Sequence, residues 1–203
     1  MVLHQPYRDV LEYWFGEDQA SPWPAAAVSR RWFLDNAAQD ADIAERFGER
    51  VEAALRRDLV EWERQPDTRL ALIVLLDQFT RNMFRGERRA FDGDHRAATL
   101  TLEGLSTGME RHLPWAGQVF FCMPLMHAED LELQERGVAC FRTLQKRAPA
   151  ALREHIGQSL RFAEEHRDVI ARFGRFPHRN RALGRDSSAE ELAYLEHGNR
   201  YGQ

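Results

Sequence analysis

The chain has 203 residues and a mass of 23.6 kDa, which suits one domain, or at most one domain with an appended element. With 43% hydrophobic and 30% charged residues it can bury a core and is not disordered by composition. A formal net charge of -4 and a pI near 6.1 argue against bulk affinity for nucleic acid or acidic membranes and leave room only for a local basic stripe. Two cysteines, Cys122 and Cys140, give neither a disulfide framework nor zinc spacing, and the longest apolar stretches, Leu70–Leu76 and Val119–Met126, fall far short of the roughly 20 residues of a membrane helix.

The first ten residues, MVLHQPYRDV, lack the charged-then-apolar layout of a signal peptide, so a soluble cytoplasmic globule is expected, with no metal and no cofactor. Helical periodicity runs nearly throughout, and no alternating β-branched run predicts a strand. Pro6 opens a first helix with the stripe Val10, Leu11, Trp14 and Phe15, and Gly16 stops it. A loop with Pro22 and Pro24 leads to a second helix ending near Phe33. From Asp40, the residues Ile43, Phe47, Val51, Ala54, Leu55, Leu59 and Trp62 recur at three- and four-residue steps, an amphipathic stretch with a break expected near Asp58. Residues 65–68 form a turn, and Asp67 or Thr68 caps the next helix, predicted over Arg69–Phe79. Its seven consecutive apolar residues leave no solvated face, so this rod is expected at the centre.

Beyond a polar loop, a helix is predicted around Asp94–Leu102. Pro124, within the apolar segment Pro114–Met126, either kinks a helix or opens a new one. His127–Gln145 continues as a polar-faced helix, and Pro149–Phe173 forms another. The arginine-rich loop Gly174–Asp186 follows, and Ser187 or Ser188, with Glu190 and Glu191, fits a capping box for a last helix. One weak internal echo stands out: Arg81–Gly86 and Arg179–Gly184 both read R-N-x-x-x-G, each after a helix and a phenylalanine. Chance explains three matched letters more readily than duplication does.

Three segments carry unusual chemistry. In LDQFTRNMFRG (Leu76–Gly86), Asp77 extends the face of the most apolar helix, where a bare carboxylate costs several kcal/mol. Arg81, four residues on, has the spacing of a helical ion pair. Asp77 is either a carboxylate held for acid–base work or a clamp for the following loop. In FFCMPLMHAEDLELQ (Phe120–Gln134), a helix opened by Pro124 puts His127 and Asp130 on one face, as an oriented general base or as helix-end electrostatics. Two such side chains are not a metal site. In ARFGRFPHRNRALGRD (Ala171–Asp186), five arginines and His178 precede any acid. Guanidinium forks on a loop make an anion receptor, unless they staple the loop to the chain's own acids. Only one of the 28 basic residues is a lysine (Lys146), so arginine abundance by itself carries little weight.

Trp14, Phe15, Trp32, Phe33 and Trp62 read as core, and His95, His112, His155, His166 and His197 as surface or capping residues. Cys122 reads as buried rather than nucleophilic.

These blocks, with VLEYWFG at the start (Val10–Gly16) and Trp32-Phe33, resemble a bacterial family known as domain of unknown function 924 over nearly the whole chain. Thr80 departs from the pattern, standing where proline is expected in many relatives. The resemblance implies an all-α fold of the tetratricopeptide-like class, stacked antiparallel helix pairs of about eight to ten helices in a single domain over 1–203. It implies no activity, and the usual tetratricopeptide consensus letters are not evident, so peptide binding does not follow from the class.

The expectation is that the three charged segments meet beside the apolar rod and shape a cleft. The leading reading is a binding module for a small anionic ligand or acidic peptide, with Arg81, Asn82, Arg85, Glu129, Arg175, Arg179, Asn180 and Arg185 as candidate binding residues. The alternatives are an interaction module whose charged junction is a stability device, and a hydrolase or transferase using His127 or His178 with Asp77 or Asp130.

Overall fold

The structure, a computed structural model, describes residues 5–18, 20–32 and 36–197. Helix α1 (Pro6–Phe15) starts on Pro6 and ends where Gly16, at φ 91°, returns its N–H to Glu12 O at 2.9 Å. Its buried stripe is Val10, Leu11, Tyr13, Trp14 and Phe15. After the short α2 (Ala26–Ser29), α3 (Ala37–Leu55) is capped by the Asn36 side chain and buries Ile43, Phe47, Val51 and Ala54. The predicted end of the second helix near Phe33 lies outside the described residues. The break expected near Asp58 is present: α3 stops at Leu55, Arg57 turns to φ 66°, and a 3-10 turn carries Val60–Glu63.

The central rod opens earlier than expected. Pro66 occupies the first turn of α4 (Pro66–Ile73), so Asp67 and Thr68 lie inside the helix instead of capping it, and the Thr68 hydroxyl donates to Trp62 O at 2.7 Å. The rod runs on through a π-helical turn, Val74–Phe79, into α5 (Thr80–Met83). Leu70 through Leu76 are all buried, as a helix without a polar face requires. Phe79 packs edge-on to Trp14, and Trp14, Phe15 and Trp32 surround Phe120.

Helix α6 (Asp94–Thr107) begins hard against the rod. A Cβ on Gly93 would stand 2.2 Å from Leu76 O, so only glycine lets α6 start there. Helix α7 (Trp115–His127) contains Pro124 and continues past it to His127, so the proline does not open a new helix. After residues 128–130, α8 (Leu131–Arg147) packs on α7 and on α9 (Arg153–Phe173). Cys122 on α7 and Cys140 on α8 are joined across that contact, with Cα atoms 6.7 Å apart. This corrects the expectation of no disulfide, because side-by-side packing brings together residues that sequence spacing keeps apart.

Gly174, at φ 69°, releases the chain from α9 into the arginine loop, and the capping box closes as expected. Ser188 N donates to Glu191 Oε2 at 2.8 Å, and Glu191 N donates to Ser188 Oγ at 3.1 Å, opening α10 (Ala189–His197). Among the described residues the fold is all-helical, with no strand, and no helix is long and apolar enough to cross a membrane.

Candidate functional site

Asp77 sits in the π-helical turn of the rod, a local widening that recurs at functional sites. Its side chain is 1% exposed. Oδ1 lies 2.7 Å from His127 Nδ1 and 3.4 Å from Arg81 Nη1, and Gln78 Nε2 donates to Oδ2. Burial alone would raise this carboxyl, but the charges of His127 and Arg81 outweigh it and hold Asp77 down at about 2. An ionised carboxylate only accepts, so His127 Nδ1 carries the proton and Nε2 the lone pair. Burial lowers His127 below its ordinary value and Arg81 adds to this, against the opposing pull of Asp77. At neutral pH the pair is therefore a carboxylate and a neutral imidazole.

A second carboxylate, Asp94, ties the network together from the first residue of α6. Arg81 grips it with both terminal nitrogens, at 2.8 and 3.0 Å, and Arg179 Nη1 reaches the same Oδ2 at 2.9 Å. Arg81 Nη1 also donates to Asp77 O, and Arg179 Nη2 donates to His127 O at 3.0 Å, satisfying the end of α7. Phe91 and Phe176 lie against the Arg179 guanidinium, each with its ring centre 4.5 Å away. Burial outweighs Asp94 here and lowers Arg179 to about 10. Its Nε is buried without a hydrogen-bond partner among the described residues.

The sequence echo has a structural counterpart: the arginines of both R-N-x-x-x-G runs converge on Asp94. The remaining letters diverge. Asn82 and Arg85 both bind Asp40 of α3, at 2.7 Å and at 2.9 and 3.1 Å. Asn180 and Arg185 turn to the other side of the loop.

Beside this network lies a cavity of about 480 Å³. Its apolar lining includes Trp23, Trp32, Phe120, Met123, Met126 and Phe162. The rest holds four arginines (Arg30, Arg81, Arg85 and Arg179) and four histidines (His127, His155, His166 and His178). No carboxylate lines it among the described residues, although the chain has 32 acids. Asp77 and Asp94 stand behind the cations that face the space. Burial first, then the neighbouring cations, hold His166 and His178 at about 3. Trp23 stacks on His155 with ring centres 5.0 Å apart. A separate recess of about 400 Å³ beside α1 lacks this bias, since Glu12, Asp18 and Asp67 line it together with Arg8 and His112.

Of the sequence candidates, Arg81, Asn82, Arg85, His127, His178 and Arg179 line the cavity, with Asp77 directly behind His127. Asp130 does not belong. Helix α7 ends at His127, the chain turns, and Asp130 caps α8 by accepting from Leu133 N at 3.0 Å. The two residues therefore never share a helix face. Glu129, Arg175, Asn180 and Arg185 lie outside the cavity lining. Arg185 pairs with Glu129 through both terminal nitrogens, at 2.6 and 2.8 Å. Arg175 pairs with Glu191 at 2.7 and 2.8 Å, and Asn180 Nδ2 donates to Ser187 Oγ at 3.0 Å.

Sequence reasoning missed Asp94, Asp40 and Gln78, and it read His166 as a surface or capping residue; His155 is exposed as expected and also lines the cavity. His166 is in fact 6% exposed, with Nδ1 donating to Phe162 O at 2.7 Å. Its position four residues before Ile170 and three after Ala163, on the buried stripe of α9, was the available signal. Trp32 is core as expected and also walls the cavity, while Phe33 and the His197 side chain lie outside the described residues.

Residues 10–199 match the family described as "Bacterial protein of unknown function (DUF924)". A solved structure, that of the protein of unknown function ATU0120 from Agrobacterium tumefaciens, is similar at 36% identity and a TM-score of 0.79, covering 95% of this chain and 97% of that one. Among curated proteins none matches this chain.

Proposed function

This chain belongs to the DUF924 family of bacterial proteins, and we propose that it is a binding module whose cavity takes a small anionic molecule with an apolar body, or the acidic end of a peptide. One observation carries the reading: besides its apolar residues the lining holds four arginines and four histidines and, among the described residues, no acid. The cations of the network face the space and their counter-charges stand behind them. A carboxylate or phosphate entering there meets oriented donors in a partly dry site, where charge-assisted hydrogen bonds are strongest. The volume falls in the range of about 300–1,000 Å³ usual for small-molecule sites. Trp23, Trp32 and Phe162 supply apolar lining for the ligand's apolar part. The stability-device reading has its own support on the opposite side of the loop, where Arg175 and Arg185 are taken up by Glu191 and Glu129.

The test is thermal denaturation with benzoate, indole-3-acetate, succinate and inorganic phosphate, each organic acid set against its uncharged amide. At a hundred times its dissociation constant a ligand stabilises by about 2.7 kcal/mol. An aromatic acid is expected to raise the melting temperature and its amide is not, and Phe162→Ala is expected to weaken the response. No shift with any anion, or equal shifts with acid and amide, removes the reading.

A further inference from the structure

We infer that His127 is a catalytic general base, activating water in this cavity to hydrolyse a carboxylic ester that carries an anionic group, with Asp77 as its positioning residue. The inference rests on the cavity reading above for where the anionic group sits. The chemistry of the His127 ring is an independent observation.

Three features single out His127. Asp77 accepts from Nδ1 at 2.7 Å and fixes the tautomer, leaving the Nε2 lone pair available. Nε2 has no hydrogen-bond partner among the described residues, and the ring lines the cavity with 14% of its side chain exposed, so water reaches it. Asp77 is itself clamped by Gln78 and Arg81, so the ring is held by a fixed partner on the rod. The groups facing the ring are Asp77, Gln78 and Arg81 from the rod, Asp94 from α6, His166 from α9 at 6.0 Å between ring centres, and Arg179 on the main-chain carbonyl.

The reaction balances with water as the only co-reactant. Water oxygen attacks the ester carbonyl carbon while Nε2 takes one water proton, giving an imidazolium beside Asp77 and a tetrahedral oxyanion. Arg81 and Arg179, which face the same space, stabilise that negative charge. The intermediate collapses, the carbon–alkoxide bond breaks, and Nε2–H returns its proton to the leaving oxygen. The products are an alcohol and a carboxylic acid, which ionises in solution.

The experiment uses two chromogenic probes, anionic 4-nitrophenyl hemisuccinate and uncharged 4-nitrophenyl acetate. The parent is expected to hydrolyse the first faster than the second. His127→Gln, whose amide N–H can still donate to Asp77, should lower kcat by about 100- to 10,000-fold while the variant remains folded. Below neutrality the parent rate should fall as His127 takes up a proton. In Asp77→Asn that limb should move to lower pH, because the carboxylate is what raises the imidazole; loss of a merely structural contact would not move it.

A parent rate no greater than buffer, or a His127→Gln rate equal to the parent's, overturns the inference and leaves the binding reading to its own thermal test. Hydrolysis that depends on His127 without any anion stabilisation would keep the base and remove the binding reading instead.

Discussion

The two sides of the arginine loop use the same residue types in opposite ways. On the outer side Arg185 and Glu129, each 24% exposed, close a two-pronged pair, and Arg175 does the same with Glu191. Cation and anion are spent on each other, and the loop is fastened to α10 and to the turn before α8. On the inner side Arg179 and Arg81 are 6% and 13% exposed and share one carboxylate, Asp94. Arg81 also pairs with Asp77 at 3.4 Å, so Arg179 is the guanidinium left with only a share of one acid, and both arginines line a cavity. Arginine content therefore decides nothing here. What separates a staple from a receptor is whether the guanidinium lines the cavity with its carboxylates outside the lining.

The sharpest way to break this contrast is at the shared acid. Asp94→Asn leaves the nearly buried Arg179 without its carboxylate and Arg81 with Asp77 alone. Removing one partner of a buried ion pair costs about 3–5 kcal/mol. For a chain of this size that corresponds to a fall in melting temperature of roughly 10 °C. Glu129→Gln, in the more exposed outer pair, should cost clearly less. Equal losses in the two variants, measured by thermal and urea unfolding, would mean that the inner network is no more committed than the outer one.

Acid titration sharpens the contrast, because the two sides fail in different pH windows. His166 and His178 stand at about 3 when folded against an ordinary 6.5, so the unfolded chain binds their protons first. Their neutral forms are favoured by the fold. The stability they carry is complete above pH 6.5 and is lost as pH falls from there toward 3, at about 1.4 kcal/mol per pH unit for each histidine. Glu191, held at about 2 first by Arg175, behaves as a depressed carboxylate: its contribution is present above 4.5 and is lost as pH falls from 4.5 to 2. Glu129 is lowered in the same sense. Between pH 6.5 and 4.5 the decline should therefore belong to the cavity side. His178→Gln should flatten the stability curve in that interval, whereas Glu191→Gln should lower the curve there without changing its slope and flatten it only below pH 4.5. A curve that stays level down to pH 4.5 in the parent contradicts the buried histidines.

Much of the architecture was legible because helical period is a local property. The seven-residue apolar run announced the central rod, Gly16 and Gly174 marked helix exits, and Ser188 with Glu191 announced the last helix. The Asp77–Arg81 spacing and the arginine loop also pointed to the right neighbourhood. The cavity itself was not legible, since it is built from pairings between elements. His127 meets Asp77 fifty positions away and Arg179 meets Asp94 eighty-five positions away. Within its own helix the only carboxylate with suitable spacing was Asp130, and the turn after His127 removes it. Asp94 read as an ordinary helix start, and what makes it central is Gly93, whose missing Cβ lets α6 begin against the rod.

The smallest expected effect tests whether the outer side is separable at all. Arg185→Ala removes a two-pronged pair at the protein surface, together with the Arg185 Nε hydrogen bond to Asn180 Oδ1 at 3.0 Å. Glu129 is not stranded, because Phe176 N still donates to its Oε1 at 2.7 Å and water reaches the freed oxygen. Exposed pairs contribute up to about 1 kcal/mol, and a two-pronged pair of this exposure somewhat more. A fall in melting temperature of a few degrees is therefore expected. Phe176 is also the residue whose ring lies against Arg179, so the two sides touch at one point. If the fastening acts only on the loop backbone, Arg185→Ala should leave both benzoate stabilisation and ester hydrolysis at the parent's level. Loss of either with the fold intact would show that the outer pairs set the position of Arg179 in the cavity, and the division into staple and receptor would have to be replaced by a single coupled network.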